Sequence, residues 1–334
     1  MALAHNTRLT SAEMTALWTQ YTNDTASKQV VTYFLHNVED SEIIPVLKKA
    51  LKAAEKHLDF IAKVFKEAEF PPPTGFTEKD VNSGAPRLFT DTFYLLYLNH
   101  MATLGMESSS LAIGTNSRMD IVDFFQTVVQ DAMSLHCLIK KITLEKGIHN
   151  RSPYIPVPKE VSFVRDQDYL GNMFGKQRSL NSIEITHLFI NVQTNTIGKS
   201  LMTAFAQTCD AEEVRHYILK GKTIAEKHIS VFGNILQLSD IPVPSPWDTA
   251  VTASTVAPFS DKLMLFHVTA MTAAGIGNYG VAMAASLRKD IVIKYAGILR
   301  EIVLYAEDGA KLMIKNGWFE EPPQAPDRNQ LTKK

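Results

Sequence analysis

The sequence predicts an all-α protein built from two tandem copies of one four-helix bundle. Three observations predict it: blocks of sequence that recur at one spacing, apolar residues at three-and-four intervals, and a long proline-marked connection inside each copy. Leu9-Thr10-Ser11-Ala12-Glu13-Met14 returns as Leu180-Asn181-Ser182-Ile183-Glu184-Ile185, which maps position 9 onto 180, an offset of 171. The same offset carries Ala54-Glu55-Lys56-His57 onto Ala225-Glu226-Lys227-His228, and Phe70-Pro71-Pro72-Pro73 onto Ile241-Pro242-Val243-Pro244. Farther on, the offset is 170: Phe89-Thr90-Asp91 pairs with Phe259-Ser260-Asp261, Arg118-Met119-Asp120-Ile121 with Arg288-Lys289-Asp290-Ile291, and Gly147 with Gly317. One deletion in the intervening loop accounts for the slip. The expected division is a first bundle over 1–160, a linker over 161–179, and a second bundle with a C-terminal tail over 180–334.

Each copy reads as four helices. The first, about 10 to 36, opens with Thr10 and Glu13 in a capping box, matched by Asn181 and Glu184. Met14, Leu17, Trp18, Tyr21 and Thr25 then follow helical spacing. The second, about 41 to 69, carries Ile43, Leu47, Ala50, Ala54, Leu58 and Ile61 on one face and stops before Pro71-Pro72-Pro73, because proline removes a donor and restricts the residue before it. The third covers about 88 to 113. The fourth starts near Arg118, repeats Ile121, Phe125, Val128, Ala132, Leu135 and Ile139, and ends at Gly147, a residue suited to a left-handed cap. No segment alternates as a strand does.

The connections set the topology. Helices one and two, and three and four, are joined by a few residues and so form antiparallel hairpins. Helices two and three are separated by Phe70 to Arg87, and in the second copy by Ile241 to Pro258, long enough to run the length of a bundle. Two helical hairpins joined by one long crossover form the ferritin-like four-helix bundle.

Composition narrows the function classes. Lys and Arg number 34 against 35 Asp and Glu, a balance that argues against nucleic-acid binding, which shows as a basic excess. Cys137 and Cys209 cannot make a disulfide framework and match no zinc spacing, as expected of a reducing compartment. Met1-Ala2-Leu3-Ala4-His5-Asn6 lacks the pattern of a secretory signal. Leu263 to Leu287 is uncharged and long enough to span a bilayer, yet His267, Asn278 and Tyr279, and Glu107 in the other copy, point to a packed bundle helix instead. Ala270, Ala274, Gly277 and Gly280 on it would admit the close approach of another helix. Gly171-Asn172-Met173-Phe174-Gly175-Lys176-Gln177 is one residue short between its glycines for a phosphate loop and lacks the hydroxyl after lysine.

The duplicated bundle, the capped starts, the proline-marked crossover and the Ala-Glu-Lys-His block together resemble the domain of unknown function 3231 family of Bacillus-type bacteria, a ferritin-like family related to the spore coat F-like proteins. The resemblance covers nearly the whole chain. It implies a sporulation or spore-coat association, a cytoplasmic or spore-associated location, and homo-oligomeric or coat-protein partners. It transfers no enzymatic activity, and the expected role is structural or interactive.

A ferritin-like bundle raises the di-iron pattern, a Glu from each of two helices and a Glu-x-x-His from each of the other two. Thr22, Thr25 and Lys28 in mid-helix one, with Gln193, Thr196 and Lys199 in its copy, offer no acid on the inward stripe. The two literal matches, Glu184 to His187 and Glu213 to His216, read as capping glutamates after Asn181 and Asp210. A four-carboxylate di-iron centre is therefore disfavoured. What survives is a mid-bundle pocket for one metal ion or a small ligand: His57, His100 and Asp131 at one level of the first bundle, His228 and Glu301 in the second. Against it stands a buried histidine to carboxylate hydrogen bond that fixes helix register. Lys28 and Lys199 are expected to reach from the stripe to solvent.

Overall fold

A computed structural model describes residues 8–172, 177–245 and 248–332, and the residues between Gly171 and Gln177 that resemble a phosphate loop fall mostly outside them. Among the described residues there are eight long helices: α1 (Ser11–Asn37), α2 (Ile44–Glu67), α3 (Asp91–Thr115), α4 (Met119–Glu145), α5 (Ser182–Thr208), α6 (Glu212–Gln237), α7 (Asp261–Ala285) and α8 (Lys289–Lys315), followed by a short α9 (Arg328–Leu331). Each expected helix lies within a few residues of its sequence limits. No helix among the described residues is long and apolar enough to cross a membrane. The chain divides into two compact units, one of Met1–Ser83, Leu98–Lys141 and Gly317–Lys334, the other of Gly84–Tyr97 and Ile142–Asn316.

In the first unit, Leu17, Ile61, Val64, Phe65, Ala112, Ile121, Phe125 and Val128 form one apolar cluster. Its helix directions are set by Glu13, which is fully buried. One carboxylate oxygen accepts the Thr10 N–H at 2.7 Å and closes the capping box. The other accepts the N–H groups of Ser117 and Arg118, at 3.2 and 2.9 Å, at the start of α4. One side chain thus caps two helices, so their N-termini lie together and α1 runs parallel to α4. That is the direction a long α2 to α3 crossover requires.

The second unit repeats the device. Glu184 accepts the N–H groups of Asn181 at 3.1 Å and Arg288 at 3.2 Å, and Arg178 adds a two-pronged ion pair at 2.8 and 2.7 Å. Leu188, Val192, Phe232, Leu236, Tyr279, Ile291 and Tyr295 belong to its core. Helices α5 and α6 pack together, as do α7 and α8, with α5 against α7 and α6 against α8. The N-terminal strip of this unit adds an isolated antiparallel β-bridge, Phe89 with Val251. Farther along, Tyr97 lies 2.7 Å from His267 Nε2, and His267 Nδ1 lies 3.2 Å from the Leu263 carbonyl. The hydroxyl therefore donates to one ring nitrogen while the other donates to the backbone. Burial draws His267 down to about 4, so this pair is neutral.

Helix ends show what the prolines leave unexplained. Glu69 and Asp240 occupy equivalent positions and both adopt the left-handed region, with φ of 51° and 55°. Phe70 N–H donates to the Phe65 carbonyl at 2.8 Å, and Ile241 N–H to the Leu236 carbonyl at 3.0 Å. These are Schellman ends, and the stacked rings of Phe65 and Phe70, 4.8 Å apart, supply the accompanying apolar contact. Gly147 and Gly317 end α4 and α8 in the same conformation, as expected.

The α6 and α8 helices interlock through tyrosines. Tyr217 and Tyr305 stack at 4.3 Å, and each hydroxyl donates to the other residue's carbonyl, at 3.3 and 3.1 Å. The hydroxyls seat over Gly221 and Gly309, where a Cβ would lie 2.1 and 2.3 Å from them. On α7, by contrast, a Cβ at Gly277 or Gly280 would meet nothing within 4 Å.

Two stability measurements check these readings. Gly221→Ala and Gly309→Ala should each lower the unfolding free energy in urea by about 1–3 kcal/mol through overpacking, exceeding the roughly 1 kcal/mol gain in helix propensity. Glu69→Gly and Asp240→Gly should each raise it, by up to about 1 kcal/mol, because glycine removes left-handed strain of about 1–2 kcal/mol at a smaller entropic cost.

Candidate functional site

The block that recurs most closely, Ala54-Glu55-Lys56-His57, sits at mid-length on α2, and each member has a reason to be there. Ala54 is buried, which brings the neighbouring helices close. Glu55 pairs with Lys28 of α1 at 3.6 Å, and Lys56 with Asp131 of α4 at 3.1 Å. His57 points inward. Its Nε2 is 3.3 Å from Asp131 Oδ2 and its Nδ1 is 3.4 Å from Asp24 Oδ2 on α1. The second contact is close enough for an ion pair but lies outside hydrogen-bond geometry. Gln20 donates to the same Asp24 oxygen at 2.8 Å, and the His57 and Phe124 rings meet at right angles, 5.8 Å apart.

The second unit reproduces half of this and changes the rest. Glu226 pairs with Lys199 at 3.7 Å, Lys227 with Glu301 at 2.8 Å, and His228 Nε2 lies 3.3 Å from Glu301. On the other side of the ring there is no acid. His228 Nδ1 lies 3.0 Å from the Tyr279 hydroxyl, which takes a hydrogen bond from Asn195 Nδ2 at 2.7 Å. A neutral His228 that donates its Nε2–H to Glu301 accepts the Tyr279 hydroxyl at Nδ1, and Asn195 Oδ1, 3.0 Å from the same hydroxyl, is the other acceptor within its reach. Asn195 stands at the position of Asp24, and Tyr279 at that of Ser109.

The electrostatics diverge accordingly. Burial works against charge on His57, but the Asp24 and Asp131 carboxylates outweigh it and hold its pKa above the ordinary 6.5. For Asp24 itself, burial outweighs the pull of His57 and Gln20 and raises the pKa. His57 is the group that holds the proton of this contact, because it faces two carboxylates and Asp131 remains partly open to water. Burial pulls His228 below 6.5 despite Glu301, while Lys227 and His228, against burial, keep Glu301 lowered.

The structure thus joins His57 to Asp131 and His228 to Glu301, as the helix levels suggested. His100 is only partly shielded by area, though the atoms around it lower its pKa. No hydrogen bond or ion pair among the described residues links it to His57 or Asp131. Asp24 corrects the expectation that helix one carries no inward acid: it is 8% exposed. Asn195 and Tyr279 join the second site with no signal in helical spacing, although the repeat offset pairs Asn195 with Asp24. Glu184 caps α5 as expected. Glu213 does not cap: α6 starts at Glu212 behind Ala211, which makes no side-chain cap, so Glu213 sits one position too early and pairs with Lys315 and Asn316 instead.

Metal ligands must converge on one point, whereas the carboxylates at His57 address different ring nitrogens, which diverge. Among the described residues no group of three His, Cys, Asp or Glu side chains is arranged to hold a metal ion. A separate groove of about 800 Å³ lies between α6 and α8, lined by Glu213, Lys220, Asp308 and Lys315 among others. Lys220 pairs with Asp308 at 2.6 Å, and Lys315 with Glu213.

Histidine titration by NMR checks the contrast. His57 should titrate above 6.5 and His228 below it. A raised histidine adds stability that is complete below its unfolded pKa and is lost as pH rises through the folded value. A lowered one withdraws stability as pH falls below about 6.5. Asp24→Asn should therefore move the His57 midpoint down toward that of His228.

Comparison with known proteins adds the family. No curated protein matches this sequence. A solved structure from Bacillus halodurans C-125, described as a "putative spore coat protein", is similar over 45% of this chain and 98% of its own, at 16% identity and a TM-score of 0.42. A family model described as "Protein of unknown function (DUF3231)" matches twice, over residues 1–161 and 169–331. Both repeats are covered, and the chain belongs to the DUF3231 family.

Proposed function

We propose that this chain is a structural or interaction protein, in which the mid-bundle histidines hold helices in register. One observation carries the reading: His57 and His228 each have both ring nitrogens directed at side chains of the same bundle. The same reading treats 1–160 and 180–334 as the duplicated ferritin-like domains, supported by the two repeat offsets. It also places the chain in the cytoplasm or the spore, with further copies or coat proteins as partners. The support for that placement is the family resemblance to coat F-like proteins, and its test is immunodetection in purified spores of the native organism. Absence from every spore fraction would remove it.

The competing reading is a metal or small-ligand pocket formed by His57, His100, Asp131, His228 and Glu301. Metal analysis of protein purified without chelators, for the wild type and a His57→Ala, His228→Ala variant, separates the two. The structural reading expects no stoichiometric metal. It also expects His57→Ala alone to cost about 3 kcal/mol or more, because Asp24 loses its buried partner. Stoichiometric metal that disappears from a still-folded double variant would overturn it.

A further inference from the structure

The crossover between α2 and α3 ends its proline run in a turn that grips a carboxylate. Glu320, beyond the end of α8, is held by both oxygens: Oε2 accepts the Thr74 N–H at 2.8 Å and Oε1 the Gly75 N–H at 3.0 Å. Successive backbone N–H groups around a left-handed residue form an anion-binding nest, and Gly75 has φ +60°. Glycine is required here twice over, since a Cβ would also lie 2.5 Å from Thr25 Oγ1.

The nest is held by α1 independently of its occupant. Thr25 Oγ1 accepts the next N–H, that of Phe76, at 3.2 Å, and Gln29 Nε2 donates to the Phe76 carbonyl at 3.5 Å. Pro71, Pro72 and Pro73 narrow the conformations of the chain entering the turn. The donors are therefore fixed where a carboxylate meets them, which lowers the ordering cost of binding.

Sequence comparison of the two copies isolates this contact. Offset by 171, Thr74-Gly75 becomes Ser245-Pro246, and proline has no N–H to donate; offset by 170, Glu320 becomes Asn150. Donor turn and acid occur together in one case and are both missing in the other. Beyond Glu320, residues 321–332 are all exposed, and among the described residues their hydrogen bonds include Gln324 to Glu321 and the Asp327 cap of α9, all within the segment.

We infer that the Thr74–Gly75 turn is a peptide-carboxylate docking site, filled in cis by Glu320 and able to take a glutamate of the same sequence in trans when its own is withdrawn. Its ligand class is the side-chain carboxylate of a glutamate in a segment free of helix, as Glu320 is.

The test uses the full chain, wild type and a Glu320→Ala, Glu321→Ala variant that prevents the neighbouring acid from substituting. Two probes are synthetic peptides of residues 317–326, one native and one with glutamine at 320 and 321. Amide exchange at Thr74 and Gly75 should be at least tenfold faster in the variant, and the native peptide should bind it and restore protection. The glutamine peptide should bind at least tenfold more weakly, and the wild type should bind neither. Unchanged exchange in the variant, no binding of the native peptide to it, or equal binding of the two peptides would each overturn the docking site. Metal content and the titration of His57 bear on the histidine reading separately.

Discussion

A carboxylate with no exposure to water is the constraint on which each bundle depends. Burial alone would push Glu13 toward its neutral form, yet the N–H groups of Thr10, Ser117 and Arg118 together hold its pKa below the ordinary value. Glu184 is lowered likewise, with Arg178 added to the backbone donors. The orphan N–H groups at a helix start need acceptors, and here one side chain serves two helices at once. Because that side chain ties the start of the first helix to the start of the fourth, it also fixes how far along their axes the two lie. Mid-helix residues such as Asp24 and Asp131 can then flank one imidazole on α2.

From that shared frame the two copies diverge at the centre. The first surrounds its histidine with acids and tolerates a buried Asp24. The second replaces the acid with Asn195 and inserts the Tyr279 ring from α7, so that uncharged groups occupy that side of the imidazole. The histidine to carboxylate contact, α2 with α4 and α6 with α8, is kept while the direction in which the imidazole's pKa is moved is reversed. Retention of Glu55, Lys56 and His57 as a block follows from their three directions, toward α1, toward α4 and toward the bundle interior.

Much of this was legible in the sequence. Capping boxes, helix limits, glycine ends and the pairing of His57 with Asp131 follow from spacing, because helical periodicity fixes which residues share a face and rise per residue fixes their level. Asp24 was not legible. It lies one position from the stripe formed by Tyr21 and Thr25, and a one-residue rotation about a helix axis decides between burial and exposure. Glu213 failed for a related reason, since a shift of one residue at a helix start moves an acid from a capping position to an ordinary one. The Tyr279 contact depends on a long ring reaching across the core, which spacing along one helix does not encode. The His267 to Tyr97 pair joins residues on different helices, and no local pattern announces it.

That last pair has a consequence for the history of the chain. Tyr97 and His267 are one and the same place in the repeat, separated by the offset of 170, and they touch each other. In an assembly of identical chains such a self-contact would force the same residue onto both sides of the axis, two phenols or two imidazoles. A tandem chain lifts that restriction and lets a phenol meet an imidazole. The unlike pair seen here requires that the two positions be encoded separately.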